Sequence, residues 1–152
     1  MQTLIKQKIK VQFVKVHSSA TLPTYATEGS AGMDLTNALE APLTLKPGER
    51  AKVPTGLVMV LEEGYEGQVR PRSGLAAKHG LTLTNCVGTI DSDYRGEVCC
   101  LMINLGNEAY TIKPGERIAQ LVISPVIYVD CEFIEKIPET KRGSGGFGST
   151  GK

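Results

Sequence analysis

The sequence predicts an all-β fold, a jelly-roll-like β-barrel subunit with one short helix. Apolar and polar residues alternate with period two: Ile9, Val11 and Phe13 are interleaved with Lys10 and Gln12, and Leu81 and Leu83 with Thr82 and Thr84. Apolar runs at 57–61, 98–103 and 118–123, the last broken only by Gln120, are short enough for buried strands. Turn residues punctuate the chain at Lys46-Pro47-Gly48, Glu63-Gly64, Glu66-Gly67, Arg95-Gly96, Leu105-Gly106-Asn107 and Lys113-Pro114-Gly115. Many short strands at even spacing are the pattern of a sandwich, barrel or jelly roll.

Composition agrees. The chain has 152 residues, one domain's worth, with 41% hydrophobic residues, 17 Gly, 8 Pro and no Trp. Lys+Arg 17 against Asp+Glu 16 gives a formal charge of +1, so no general pull toward nucleic acid is expected. No apolar run approaches the roughly 20 residues of a transmembrane helix. Lys6, Lys8, Lys10 and Lys15 interrupt the N-terminal region where a secretory signal would need an unbroken apolar stretch. Cys86, Cys99, Cys100 and Cys131 show no C-x-x-C spacing, and only His17 and His79 could join them around a metal. Reduced thiols in a cytoplasmic protein are expected, with a nuclear or organellar form left open for a eukaryotic source.

The elements follow in order. Leu45-Lys46-Pro47-Gly48-Glu49-Arg50 recurs as Ile112-Lys113-Pro114-Gly115-Glu116-Arg117, which reads as two similar hairpin turns of type II geometry. A helix is expected over 74–79, with Ser73 as N-cap and Gly80 as the left-handed stop. Arg72 beside that helix start makes either a phosphate seat or a plain capped turn. The stretch Gly88-Thr89-Ile90-Asp91-Ser92-Asp93-Tyr94-Arg95-Gly96 lies between a strand expected over 81–87 and another over 97–105. It reads as a hairpin with Asp91 and Asp93 near the tip, fit to hold Mg²⁺ or activate water, or simply to favour the turn.

From Lys141 the composition changes to a tail with five glycines in twelve residues, Arg142 and a lone Phe147. Such a tail is a flexible linker, or a loop able to wrap a phosphorylated aromatic ligand. Its last residues, Gly146 to Lys152, match the start of a Walker A loop, but no strand precedes them and no helix follows, so a P-loop ATPase is rejected.

Together these segments resemble the homotrimeric dUTPase family. Its five motifs occur in order: Ala31-Gly32-Met33-Asp34-Leu35; Pro71-Arg72-Ser73-Gly74-Leu75-Ala76; Gly88 through Gly96 as quoted above; Gly115-Glu116-Arg117-Ile118-Ala119-Gln120-Leu121; and Arg142 through Gly151 in the tail. The resemblance implies hydrolysis of dUTP to dUMP and pyrophosphate in a homotrimer with shared active sites, which would supply dUMP for thymidylate synthesis and keep uracil out of DNA. It implies Asp91 as the general base for a water attacking the α-phosphate in line, and Tyr94 as the ring that packs on the deoxyribose and excludes a 2′-hydroxyl. A hairpin over 85–90 would read uracil through the Asn85 amide and the backbone of Gly88, Thr89 and Ile90, with Cys99 packing against the base. Arg72, Ser73, Gly74 and Gln120 would meet the phosphates. Arg142 would pair with the γ-phosphate, Phe147 stack on uracil, and Gly148, Ser149 and Thr150 close around the triphosphate. Mg²⁺ is implied, held mainly by phosphates and water, with Asp34 in its outer shell. The division expected is a β domain over 1–140 and a mobile C-terminal arm over 141–152.

Two alternatives remain. The dCTP deaminases share the fold, but the position of their catalytic Glu, ten residues beyond Asp91, is Leu101 here. A non-catalytic nucleotide-binding trimer would suit degraded motifs, and none is degraded.

Overall fold

The structure is a computed structural model that describes residues 8–147. Among these the chain forms β1 (Gln12–Lys15), β2 (Thr24–Tyr25), β3 (Met33–Thr36), β4 (Leu43–Leu45), β5 (Arg50–Val60), β6 (Tyr65–Pro71), α1 (Ser73–His79), β7 (Leu81–Leu83), β8 (Gly88–Ile90), β9 (Glu97–Asn104), β10 (Tyr110–Ile112) and β11 (Arg117–Pro125). One sheet has the order β1-β5-β9-β7, a second β2-β3-β11-β6-β8, and β4 pairs with β10 alone. Every pairing is antiparallel.

The three apolar runs supply the three longest strands, β5, β9 and β11. Along β9, Val98, Cys100, Met102 and Asn104 are buried while the residues between them are half-covered, as the pleat requires. In β11 both Ile118 and Ala119 are buried in succession, which the register shift against β3 at this point permits. Side chains from both large sheets and from the β4/β10 pair meet in one cluster, including Val53, Met59, Met102, Leu35, Leu121, Leu45 and Ile112. Each fully buried Leu, Ile or Met contributes about 1.5–3 kcal/mol, so the facing sheets dominate stability. The all-β, jelly-roll-like architecture with one short helix stands.

Three local expectations are corrected. Gly48 and Gly115 have φ of +81° and +75°, as type II turns demand, and Glu49 N–H and Glu116 N–H close the turns onto the Lys46 and Lys113 carbonyls at 2.9 and 3.1 Å. Yet neither turn closes a hairpin. The strands before the two turns, β4 and β10, pair with each other, and the strands after them enter different sheets. The helix starts at Ser73 itself, and the N-cap is Arg72, extended at φ −90° and ψ 125° with no side-chain cap bond. Pro71 still belongs to the β6 ladder, opposite Ala119, so the chain leaves the strand only at Arg72. Gly80 ends the helix at φ +67°, as expected.

The third correction concerns 81–96. The strand expected over 81–87 is split. β7 pairs with β9, whereas β8 pairs with β6 in the other sheet. Residues 84–87 and 91–96 are therefore crossings between sheets, and Asp91 and Asp93 sit on a crossing rather than at a hairpin tip. Beyond β11 the described chain leaves the sheets, fastened first by Val126 N–H to the Gly64 carbonyl at 2.9 Å. Ile127, Val129, Phe133 and Ile137 are exposed along it, well before the composition changes at Lys141.

Each repeated turn is pinned by a buried asparagine from elsewhere. Asn104, at the end of β9, exchanges backbone bonds with Gly48 and Glu49 at 2.7 and 3.0 Å, and its amide donates to the Leu45 and Glu108 carbonyls at 2.8 and 2.7 Å. Asn37, just past β3, donates to the Lys113 and Glu116 carbonyls at 2.8 and 2.9 Å. Replacing Asn104 or Asn37 by Ala removes both hydrogen bonds of a buried amide and should cost about 1–3 kcal/mol each in urea unfolding. A loss near zero would mean that the Pro-Gly turns hold themselves.

Candidate active site

A cavity of about 200 Å³ lies beside the double crossing. Asn85 comes from the inward crossing, Gly88, Thr89 and Ile90 from β8, Tyr94 from the outward crossing and Cys99 from β9, and all six line it. β8 is the last strand of its sheet, so one edge of its backbone is free of strand pairing among the described residues. That edge leaves backbone N–H and C=O groups without a ladder partner on one side. The Asn85 amide stands over Gly88, where an added Cβ would lie 3.0 Å from its Nδ2. Leu101 lines the same cavity, an apolar side chain unable to move a proton. Sequence reasoning did not single out Lys52, Val69, Glu97 or Val98, which also line it. Only the pairing of β5 with β9 brings Lys52 opposite Leu101, and no local pattern signals it.

Burial and the neighbouring Glu97 carboxylate push the Cys99 thiol up, partly opposed by Lys52. Cys100, on the core face, is pushed up to about 12 by burial and by Cys99. The raised thiol makes Cys99 a poor nucleophile at neutral pH.

Asp91 begins the outward crossing, where its carbonyl accepts the Tyr94 N–H at 3.1 Å. The Arg95 guanidinium folds back to donate to the Ser92 and Tyr94 carbonyls at 2.7 and 3.0 Å, locking the turn. Asp91, Asp93 and Arg95 line a second, wider depression of about 560 Å³ with Glu63, Glu66 and Tyr128. Both carboxylates are exposed, without a hydrogen bond or ion pair among the described residues.

A separate cluster gathers the first, second and fourth motifs. Asp34 on β3 pairs with the Arg72 Nε at 3.3 Å and the Arg117 Nη1 at 2.9 Å, and Arg72 also donates to the Arg117 carbonyl at 3.0 Å. The Gln120 amide, on the central strand β11, donates to the Pro71 carbonyl at 2.9 Å and packs against Gly32. Ser73 and Gly74 are exposed beside Arg72, and space is open above Gly74. Arg117 stands in the quoted fourth motif, but its contact with Asp34 depends on the β3/β11 register and was not foreseen. In the tail, Arg142 Nε donates to the Gly145 carbonyl at 2.7 Å and Phe147 is fully exposed. Gly148, Ser149 and Thr150 lie outside the described residues. None of Arg72, Ser73, Gly74, Gln120, Arg142 or Phe147 lines the Asn85 cavity, so one chain does not bring all the expected site residues together.

Among the described residues no three His, Cys, Asp or Glu side chains converge on a metal position. Asp34 is already paired with two guanidinium groups. This donor set fits magnesium carried by phosphates and retained waters, and does not form a protein cage.

An all-β barrel with a base-sized cavity edged by open backbone, and a separate cluster of guanidinium groups, defines a nucleotide-handling enzyme. The chain belongs to the dUTPase family, whose pattern matches residues 18–151. It is 59% identical over 132 residues to a deoxyuridine 5'-triphosphate nucleotidohydrolase of Rhizobium leguminosarum, covering 86% of this chain and 85% of that one. It is 51% identical over 146 residues to the Fusobacterium nucleatum protein of the same name, covering 96% and 99%. Among solved structures, a Staphylococcus bacteriophage 80alpha dUTPase mutant with dUpNHpp superposes at TM-score 0.86 and 26% identity, covering 95% of this chain and 100% of that chain. A mutant dUTPase of phage phi11 of S. aureus, described for its coordination of a structural Mg(II) ion, superposes at 0.76 with 25% identity, covering 84% and 98%.

The thiols offer a direct check on the cavity. Alkylation at pH 8 should modify exposed Cys86 and Cys131 first, Cys99 more slowly and Cys100 last. Because its pKa is raised, Cys99 holds less thiolate than an ordinary thiol at that pH, and its lag should shrink as the pH is raised. Mass spectrometry showing Cys99 as fast as Cys86 would contradict this environment.

Proposed function

We propose that this chain is a dUTP diphosphatase that hydrolyses dUTP to dUMP and pyrophosphate, supplying dUMP for thymidylate synthesis and keeping uracil out of DNA. The observation that carries the reading is the single cavity lined by Asn85, Gly88, Thr89, Ile90, Tyr94 and Cys99. In it the free β8 edge and the Asn85 amide read the uracil ring, and the narrow walls reject a 5-methyl group by contact. Tyr94 lies against the deoxyribose and leaves no room for a 2′-hydroxyl.

Asp91 accepts a proton from the water that attacks the α-phosphate in line. Its carboxylate is exposed and unpaired among the described residues, which leaves it available to a water. Arg72, Ser73, Gly74 and Gln120 hold phosphate oxygens, with Arg72 aimed by Asp34. Magnesium, bound to the triphosphate with Asp34 reaching it through water, would neutralise charge on the phosphates.

Because the guanidinium cluster and the Asn85 cavity do not meet in one chain, the proposed assembly is a homotrimer whose sites are completed by neighbouring copies. Residues 141–152 form the arm that closes each site, with Arg142 on the γ-phosphate, Phe147 on the uracil, and Gly148, Ser149 and Thr150 around the triphosphate. The β domain is then 1–140. A cytoplasmic location suits four free thiols. No helix among the described residues is long and apolar enough to cross a membrane. The deaminase alternative would need a proton carrier where Leu101 stands.

Three measurements test this. Pyrophosphate release from dUTP, dTTP, dCTP and UTP with Mg²⁺ should be confined to dUTP. Ammonia release from dCTP, or binding without turnover, would favour one of the alternatives. Asp91→Asn should lower kcat by about 10²–10⁴-fold, the range for losing general-base help, with dUTP still bound; Asp93→Asn should be milder. Ending the chain at Lys141 removes only one large apolar residue, so folding should survive while activity nearly vanishes. Mixing that truncated chain with full-length Asp91→Asn chains should restore some activity, since each supplies what the other lacks. No rescue in proven mixed trimers would show that each arm closes over its own Asp91.

A further inference from the structure

We infer that Gly96 is a positioning residue that sets sugar selectivity by seating the Tyr94 ring. The inference rests on the reading that Tyr94 packs on the deoxyribose. The tip of the Tyr94 ring occupies the space where a Cβ on residue 96 would stand: that atom would overlap Tyr94 Oη and Cζ and lie 2.8 Å from Cε2. No other group is among the three nearest atoms there. The hydroxyl of the ring donates to the Glu97 carbonyl at 3.2 Å. The ring face is otherwise half-exposed in the cavity wall. That hydrogen bond and the close approach to the Gly96 backbone both bear on where the ring tip stands.

The backbone itself does not call for glycine here. Gly96 is not among the glycines of positive φ, so alanine fits its conformation. What alanine does not fit is the ring. A methyl group there lifts the tip off its floor, a displacement a side-chain end can make without unfolding the crossing. The ring then no longer stands at the depth that admits a 2′-hydrogen and excludes a 2′-hydroxyl. Gly96 touches no substrate in this account and acts only through Tyr94.

The test is a double-mutant cycle on kcat/KM for dUTP and UTP, using Gly96→Ala, Tyr94→Ala and the double variant. Gly96→Ala should lower kcat/KM for dUTP by about tenfold or more, mainly through KM, and reduce the preference for dUTP over UTP. The melting temperature should stay close to that of the parent. In the Tyr94→Ala background the same change should have no effect on either substrate, because the methyl group then meets nothing. A loss of equal size with and without the ring, or an unchanged dUTP/UTP ratio in Gly96→Ala, would overturn the role of Gly96. If Tyr94→Ala itself lowers dUTP and UTP turnover in equal proportion, the reading of Tyr94 fails first, and the two failures are told apart.

Discussion

The site depends on a three-residue ladder. β8 pairs with β6 over Gly88, Thr89 and Ile90, while the strands on either side of it in sequence, β7 and β9, pair with each other in the opposite sheet. The chain must therefore cross the barrel twice within a short stretch, and the cavity lies beside the crossings. Asn85 enters it from one crossing and Tyr94 from the other, with Cys99 and Leu101 on the face of β9 turned away from the core. The same ladder ends at Ile90, so Asp91 is the first residue released, and it faces the wider depression beside the cavity.

Electrostatics are arranged locally in a chain whose formal charge is only +1. Two guanidinium groups, Arg72 and Arg117, stand together because Asp34 lies between them. The Asp34 side chain is mostly covered, where a charge pair is less screened than at the surface. Arg72 is thereby fixed through both its Nε and one terminal nitrogen. Nearby, burial and the hydrogen bond to Glu116 push the Tyr110 hydroxyl up to about 12, partly offset by Arg72, so this neighbour stays neutral.

A second device recurs across the motifs. Gln120 rests against Gly32 and Tyr94 against Gly96, each filling the place of a missing Cβ, and Asn85 lies close against Gly88. Conformational freedom does not explain these three glycines, since none has positive φ. Close approach of a polar or aromatic side chain to the backbone does. Fixing such side chains in advance lowers the ordering cost when a ligand arrives.

The sequence by itself determined that the protein is all-β, because a two-residue period is a local property that each strand carries alone. It determined the shape of the turns as well, since Pro47 and Pro114 restrict φ and Gly48 and Gly115 accept positive φ wherever the flanking strands go. The resemblance pointed to the family that the comparisons show, and it named Asn85, Gly88, Thr89, Ile90, Tyr94 and Cys99 among the residues that line the cavity. Only the tertiary structure decided which strands pair. It sent β4 to β10 in place of two hairpins, moved Asp91 from a hairpin tip to a crossing, and made Ser73 a helical residue because β6 runs on to Pro71. It also recruited Lys52, Glu97 and Arg117. Pairing is a choice among many equally satisfied backbone partners, settled by which arrangement buries Leu35, Val53, Met102 and Leu121 in one core, and that choice is made over the whole chain at once.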